Sequence, residues 1–259
     1  LGLNKCRYAL SGAAPISPEL IDWYLSIGLD MREGWGMTET AGIGTAFYSR
    51  EIKKGCVGRA IDGSEVQIAK DGEILFRGPG VFCGYLNKPE QTNETIIDGW
   101  LHTGDVGHLD NSGNLKITDR KKDIIITAGG KNISPSEIEN ELKFSAFISD
   151  AVVIGDKRKF LSCLIMIDEE NVMKFAQDHD VPFSNFESLC KSKEIIDLIQ
   201  LEVNQANKKF ANVEQVKKFT LIDVQLTAED DELTPTMKLK RKFINQKYTN
   251  IIEAMYKTA

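Results

Sequence analysis

Four short stretches hold residue types that can do chemistry. The first is Gly34-Trp35-Gly36-Met37-Thr38-Glu39-Thr40. Two glycines beside an indole allow a flat ligand to come close to the backbone. Trp35 can stack on a purine, Thr38 can give a hydroxyl to a phosphate, and Glu39 is a hard oxygen ligand suited to Mg²⁺. The same run also reads as a Gly-rich turn leading into a helix cap. The second is Gly99-Trp100-Leu101-His102-Thr103-Gly104-Asp105. A carboxylate beside glycine can accept both hydroxyls of a ribose, and an ordinary Thr-Gly-Asp turn is the plain alternative. His102 has no nucleophile beside it, so it reads as a solvated or core histidine rather than a base.

The third stretch runs from Asp119 to Asn132 and contains Gly129-Gly130-Lys131. It is not a phosphate loop. That pattern needs a glycine where Ile125 stands and a Ser or Thr where Asn132 stands. The fourth, Leu233 to Lys242, ends in Lys238-Leu239-Lys240-Arg241-Lys242. Such a basic run is a solvated helix start or a patch for anionic lipid or nucleic acid.

Taken in order, these stretches resemble the adenylate-forming superfamily of acyl-CoA synthetases, luciferases and peptide-synthetase adenylation domains. Ser11-Gly12-Ala13-Ala14-Pro15 is similar to its adenine-side loop. Glu33 to Glu39 is similar to its Gly-Tyr-Gly-x-Thr-Glu motif, with Trp35 in place of Tyr. Thr103-Gly104-Asp105 is similar to its ribose motif and Asp119 to Asn132 to its hinge motif. Lys238, after Thr234-Pro235-Thr236, is similar to its mobile lysine. The wording of 127–135 and of Leu233 to Lys238 is nearest the long-chain acyl-CoA synthetases, the bubblegum-type branch among them.

The resemblance implies a long-chain fatty acid–CoA ligase. Gly12, Ala13, Ala14 and Trp35 would flank adenine, within a nucleotide site that also takes in Glu33, Gly34, Gly36 and Met37. Asp105 and Arg120 would hold the ribose. Thr38 would meet phosphate, Glu39 would bind Mg²⁺, and Lys238 would relieve the repulsion between carboxylate and ATP. Lys122 would be the hinge, and Gly129, Gly130 and Lys131 would face the coenzyme A side. ATP, Mg²⁺, coenzyme A and a fatty acid are the expected cofactor and substrates. A cytoplasmic setting with peripheral membrane association is expected, and no nucleic acid. Two alternatives stand beside this: another acyl- or aryl-adenylating enzyme of the same fold, and a non-catalytic module binding lipid or a partner. The family's Thr-Ser-Gly-Thr-Thr-Gly loop is absent, and a start at Leu1 fits a chain whose N-terminal half is missing, so the fragment alone is expected to be weakly active or inactive.

Composition agrees with a folded protein of this kind. The 259 residues are 42 % apolar and 27 % charged, with a net charge of −6. This excludes a disordered chain and lacks the basic excess usual for nucleic-acid binders. The five cysteines form no C-x-x-C pair, so a disulfide scaffold or zinc site is not expected.

The elements that must position these residues follow from pattern. Strand Cys6–Leu10 precedes a helix opened by Ser17-Pro18, with Leu20, Ile21, Tyr24 and Leu25 at helical spacing and Gly28 past its end. Asp62-Gly63 and Asp71-Gly72 mark hairpins around strands Ser64–Ala69 and Glu73–Phe76, giving a small antiparallel sheet or distorted barrel. Strand Ile124–Thr127, a helix from Ser134-Pro135, a hairpin of Ala151–Ile154 with Phe160–Ile167, helices over 169–209 and a last helix from about Lys242 complete the chain. Phe243, Tyr248, Ile251, Ile252 and Met255 share one face of that last helix. Pattern gives two units, one ending near 118 and a compact α+β unit from about 120 to 259; the resemblance implies a class of α/β and α+β in which 1–118 is part of a large AMP-binding domain with a small β-barrel-like subdomain, 119–123 a hinge, and 124–259 a small mobile α+β domain.

Overall fold

The computed structural model describes residues 2–13, 16–48, 52–224 and 240–257. It consists of two compact units, Leu1–Lys122 and Asp123–Ala259.

The first unit opens with β1 (Ala9–Ser11), α1 (Pro18–Ser26) and β2 (Met31–Glu33), with β1 and β2 parallel and Ser11 opposite Glu33. Ser17 Oγ accepts from the N–H groups of Glu19 and Leu20, which fixes the start of α1. Gly28, with φ of +85°, ends it. The strand starts at Ala9 rather than Cys6 because its ladder to β2 begins at the Ala9–Met31 pair. Next come β3 (Thr45–Ala46) and β4 (Arg59–Ala60), paired antiparallel. The five-stranded sheet follows: β5 (Glu65–Ile68), β6 (Glu73–Arg77), then α2 (Pro89–Thr95), β7 (Ile96–Ile97), β8 (Trp100–Leu109) and β9 (Leu115–Arg120). Its order is β5-β6-β8-β7, with β9 also on β8, and it is open rather than a closed barrel. Asp71-Gly72 joins the β5–β6 hairpin as expected. Asp62-Gly63 is a turn but not a hairpin, because the strands on either side of it pair with β3 and with β6. Trp35, Ile74, Phe76, Leu101 and Leu115 form the core of this sheet.

The charged run at 119–123 is not simply solvated. Asp119 and Arg120 stay in the ladder, opposite Val106 and Asp105, and Asp119 is buried. The ladder therefore keeps both residues in the first unit.

The second unit begins with a short hairpin of β10 (Ile125–Ile126) and β11 (Asn132–Ile133), then α3 (Pro135–Leu142). β12 (Ile148–Ile154) and β13 (Leu161–Ile167) pair antiparallel. After α4 (Glu169–Asp178), α5 (Phe186–Lys191) and α6 (Lys193–Asn207), β14 (Val216–Leu221) joins β13 in parallel. The sequence pattern did not reveal β14. α7 (Arg241–Lys247) and α8 (Thr249–Lys257) close the unit. They are two helices rather than one, divided at Tyr248. The sheet is buried on both faces, which is why β13 reads as a run that is apolar except for Ser162. Ala151, Val153, Cys163 and Ile165 face Ile138, Leu142, Ile195 and Ile199. Val152, Ile154, Leu164 and Met166 face Ile244, Tyr248, Ile252 and Met255. At about 1.5–3 kcal/mol for each fully buried large aliphatic side chain, this sandwich supplies most of the unit's stability. The cysteines are free thiols.

Part of the basic run turns inward. The Arg241 guanidinium donates to Glu139 on α3, whose other oxygen accepts the Val153 N–H at 2.7 Å. Burial pushes the Glu139 carboxyl up to about 6, against the opposing pull of Arg241. Replacing Arg241 with Met strands that carboxylate, at a cost of about 3–5 kcal/mol. A carboxyl whose folded pKa lies above its unfolded value favours folding most at low pH, and that benefit is lost as pH rises through the folded value. Thermal melts of R241M should therefore show a large deficit at pH 8 that narrows at pH 5; an equal deficit at both would contradict this account.

Candidate functional site

The C-terminal ends of β1 and β2 lie side by side, the position at which parallel strands present ligands. Gly34 N–H donates to Ser11 O at 3.0 Å, and a Cβ on Gly12 would stand 3.2 Å from Gly34 O. The loop holding Gly12 and Ala13 is thus packed against the Gly34-Trp35-Gly36 loop, with only small residues at the contact. Ala14 lies outside the described residues. Glu33, at the end of β2, is buried. Burial raises its carboxyl to about 7, opposed by the Ile16 N–H that it accepts. Near neutral pH it can therefore donate as well as accept.

Trp35 is 6 % exposed and Asp105 is 9 % exposed. The indole Nε1 donates to Asp105 Oδ2 at 2.8 Å, joining the first stretch to the second across 70 residues. The ring meets Phe76 edge-on and sits against Gly44, where a Cβ would come within 2.6 Å of it. The indole is therefore a core side chain, and what it contributes to the site here is a hydrogen bond that orients Asp105 rather than an open stacking face. Arg120, opposite Asp105 on β9, brings Nε to 3.5 Å from Oδ1.

Beside them lies a recess of about 390 Å³ lined by Met37, Thr103, Gly104, Arg120, Lys121 and Lys122. Its size and its lining of backbone, hydroxyl and cations suit a small anionic ligand. Thr38 is exposed and opens a one-turn 3₁₀ helix, Thr38–Thr40. The turn needs Gly36, because a Cβ there would lie 2.4 Å from Gly42 O. Glu39 Oε1 accepts from Tyr85 OH at 2.8 Å, and this bond fixes its carboxylate. Among the described residues no group of three His, Cys, Asp or Glu side chains could hold a metal. A single fixed carboxylate fits Mg²⁺ that takes its other ligands from phosphate and water.

Three positions were not singled out from sequence. Glu73 accepts from Gly104 N–H, Tyr85 fixes Glu39, and Lys121 lines the recess. Only Lys121 lay within a quoted motif; the others have no local signal. His102 is part-buried, with its Nδ1 3.2 Å from Glu73 Oε2.

The chain matches the AMP-binding enzyme model over residues 2–86 and the AMP-binding enzyme C-terminal domain over residues 122–259. This chain belongs to the AMP-binding enzyme family. It is 41 % identical over 254 residues to the long-chain-fatty-acid–CoA ligase FadD15 of Mycobacterium bovis, a match covering 98 % of this chain and 42 % of that one. It is 35 % identical over 283 residues to the long-chain-fatty-acid–CoA ligase ACSBG2 of Gallus gallus, covering 100 % of this chain and 37 % of that one. Among solved structures, the O-succinylbenzoate coenzyme A synthetase of Bacillus subtilis, in complex with ATP and magnesium ion, superposes with a TM-score of 0.68 at 27 % identity, covering 91 % of this chain and 46 % of that one. The chain spans less than half the length of each.

In the second unit, Gly129, Gly130 and Lys131 form the turn of the β10–β11 hairpin. Thr127 N–H donates to Lys131 O and Gly130 N–H to Thr127 O, so the turn is closed by its own bonds. Gly130 has φ of +77°, and no atom lies within 4 Å of where its Cβ would be. At Gly129 the nearest is Thr127 Oγ1 at 3.9 Å. Lys131 Nζ stands 4.0 Å from Glu214. Lys238 lies outside the described residues.

Gly44→Ala should displace the indole and cost about 1–3 kcal/mol, as overpacking does. A lower melting temperature with red-shifted tryptophan emission is the expected result; an unshifted spectrum at unchanged stability would show that the ring does not depend on that gap.

Proposed function

We propose that the protein containing this chain is a long-chain fatty acid–CoA ligase. One observation carries the reading: Asp105, fixed by Trp35 and Arg120 beside a recess that Met37 also lines, offers a ribose-binding carboxylate between motifs far apart in sequence. The relatives' shared name supports the substrate class.

In the first half-reaction a fatty acid carboxylate oxygen attacks the α-phosphorus of ATP. An acyl-adenylate forms and pyrophosphate leaves. Asp105 accepts the ribose hydroxyls, with Arg120 beside it. The loop of Gly12 and Ala13, with Glu33, takes the adenine side, and Trp35 acts there through Asp105. Thr38 donates to phosphate. Glu39 would hold Mg²⁺, which would supply positive charge to the phosphates when bound. Two anions must meet, and Lys238 supplies the positive charge that stabilises their encounter. In the second half-reaction the thiol sulfur of coenzyme A attacks the acyl carbonyl carbon and AMP leaves. Rotation of the second unit about Lys122 exchanges Lys238 for the 128–131 turn, whose glycines leave room for the thiol arm. The setting proposed is cytoplasmic, with the apolar substrate drawing the enzyme to a membrane surface. No helix among the described residues is long and apolar enough to cross a membrane.

The deciding experiment supplies the full-length protein with ATP, Mg²⁺ and a long-chain, medium-chain or aryl acid. Long-chain acid should drive pyrophosphate exchange without coenzyme A and thioester formation with it. Preference for aryl acids would move the reading to another adenylating enzyme, and no acid-dependent exchange would end it. Lys238→Ala should slow adenylate formation by on the order of 10²–10³ while sparing thioester formation from supplied acyl-adenylate. Gly129→Trp, at a backbone conformation that tolerates a side chain, should do the reverse; equal loss of both half-reactions would count against the turn's assignment.

A further inference from the structure

We propose that Glu73 is a positioning residue that sets the Asp105 carboxylate for the ribose; this rests on the ribose reading of Asp105 given above. The argument starts from strand register. Glu73 on β6 stands opposite Val106 on β8, and Leu75 opposite His102. Two steps along β6 are thus matched by four along β8, so Thr103, Gly104 and Asp105 bow out of the β6–β8 ladder, while Asp105 keeps its pairing with Arg120 on β9. Gly104 sits at φ of +70° within that bow. Such a bulge takes backbone polar groups out of the ladder, and they must find partners elsewhere.

Side chains provide them. Glu73 Oε1 accepts from Gly104 N–H at 3.0 Å. Thr103 Oγ1 donates to Ile74 O at 2.7 Å and accepts from Asp105 N–H at 3.1 Å. Gly104 O accepts from Lys121 N–H at 2.8 Å. The second oxygen of Glu73 holds Lys121 Nζ at 3.1 Å and His102 Nδ1 at 3.2 Å, while Lys121 Nζ also reaches Asp71 at 2.7 Å. Glu73 is 6 % exposed. Burial alone would raise its carboxyl, but Lys121, His102 and the Gly104 N–H outweigh it and hold it below the usual range, so it stays charged at neutral pH. One buried carboxylate thus braces both segments that flank the site: the bulge ending in Asp105, and the end of β9 that carries Arg120. Glu73 itself contacts the residue before Asp105, not Asp105, and acts through the backbone.

The signature of this role is ribose discrimination. In fatty-acid-dependent pyrophosphate exchange by the full-length protein, kcat/KM is compared for ATP and for 2′-deoxy- and 3′-deoxy-ATP. A hydrogen bond to a charged group is worth on the order of tenfold to a hundredfold, so the wild type should prefer ATP by at least the lower figure. D105A should abolish the preference. E73A should lower the ratio most of the way to that of D105A, and E73Q, which keeps an oxygen for the Gly104 N–H, should restore much of it. A merely structural loss would reduce turnover of all three nucleotides together and leave the ratio as in wild type. That result, with D105A discriminating poorly, overturns the inference alone. If D105A also keeps the wild-type ratio, the ribose assignment of Asp105 fails and the inference with it. Should E73A not fold, E73D, which draws the oxygens back from Gly104 by one methylene, carries the same comparison.

Discussion

A carboxylate can be taken out of water only where donors replace the water it loses. That constraint organises the first unit around Asp105. Two of its partners come from places that the chain does not bring together locally. The Trp35 indole arrives from the loop after β2, and Arg120 arrives from the neighbouring strand. For the indole to reach, Gly44 must leave space under the ring and Gly36 must let the following turn fold back on itself. For the carboxylate to point at it, β8 must bulge. The glycines, the bulge and the buried aromatic ring all meet at this one buried carboxyl.

The second unit solves a similar problem with a different outcome. Glu139 is also a buried carboxylate with an arginine and a backbone N–H as donors. Its partners are the sheet and the helix that covers it, and it ties α3, β12 and α7 into one body. In the first unit the buried acid stands beside a recess that can take a ligand; in the second it is enclosed by the unit's own elements. Local burial looks alike in the two cases, and what distinguishes them is whether open volume lies next to the acid.

Much of this was legible in sequence because it is written in short covalent spacings. Ser17-Pro18 and Gly28 bracket α1, Asp71-Gly72 turns the β5–β6 hairpin, and Gly34 to Glu39 and Thr103 to Asp105 announce themselves by composition. Residues whose meaning depends on pairing were not legible. Glu73 is one polar position at the start of an alternating strand, and its role appears only when a bulge 31 residues away needs an acceptor. Trp35 suggested a stacking surface, yet its ring is covered by Phe76 and Gly44, contacts that no spacing rule encodes. β14 was missed because Val216-Lys217-Lys218-Phe219 is a weak alternating run, made a strand by its parallel neighbour β13. The break at Tyr248 was missed because the apolar positions on either side keep one helical rhythm through it.

The order in which the second unit's sheet is covered has a cost during synthesis. Its first two strands are complete once Ile167 has emerged, and α3 to α6 can then cover one face. The opposite face, Val152, Ile154, Leu164 and Met166, packs with Ile222 and is otherwise covered by residues from Ile244 onward. Some eighty residues must leave the ribosome before that surface is shielded, so the nascent chain carries a patch of bare aliphatic side chains through most of the unit's translation. Such a patch is what holdase chaperones bind and what neighbouring nascent chains aggregate on. The closing helices at the C-terminal end thus also govern how safely the polypeptide is made.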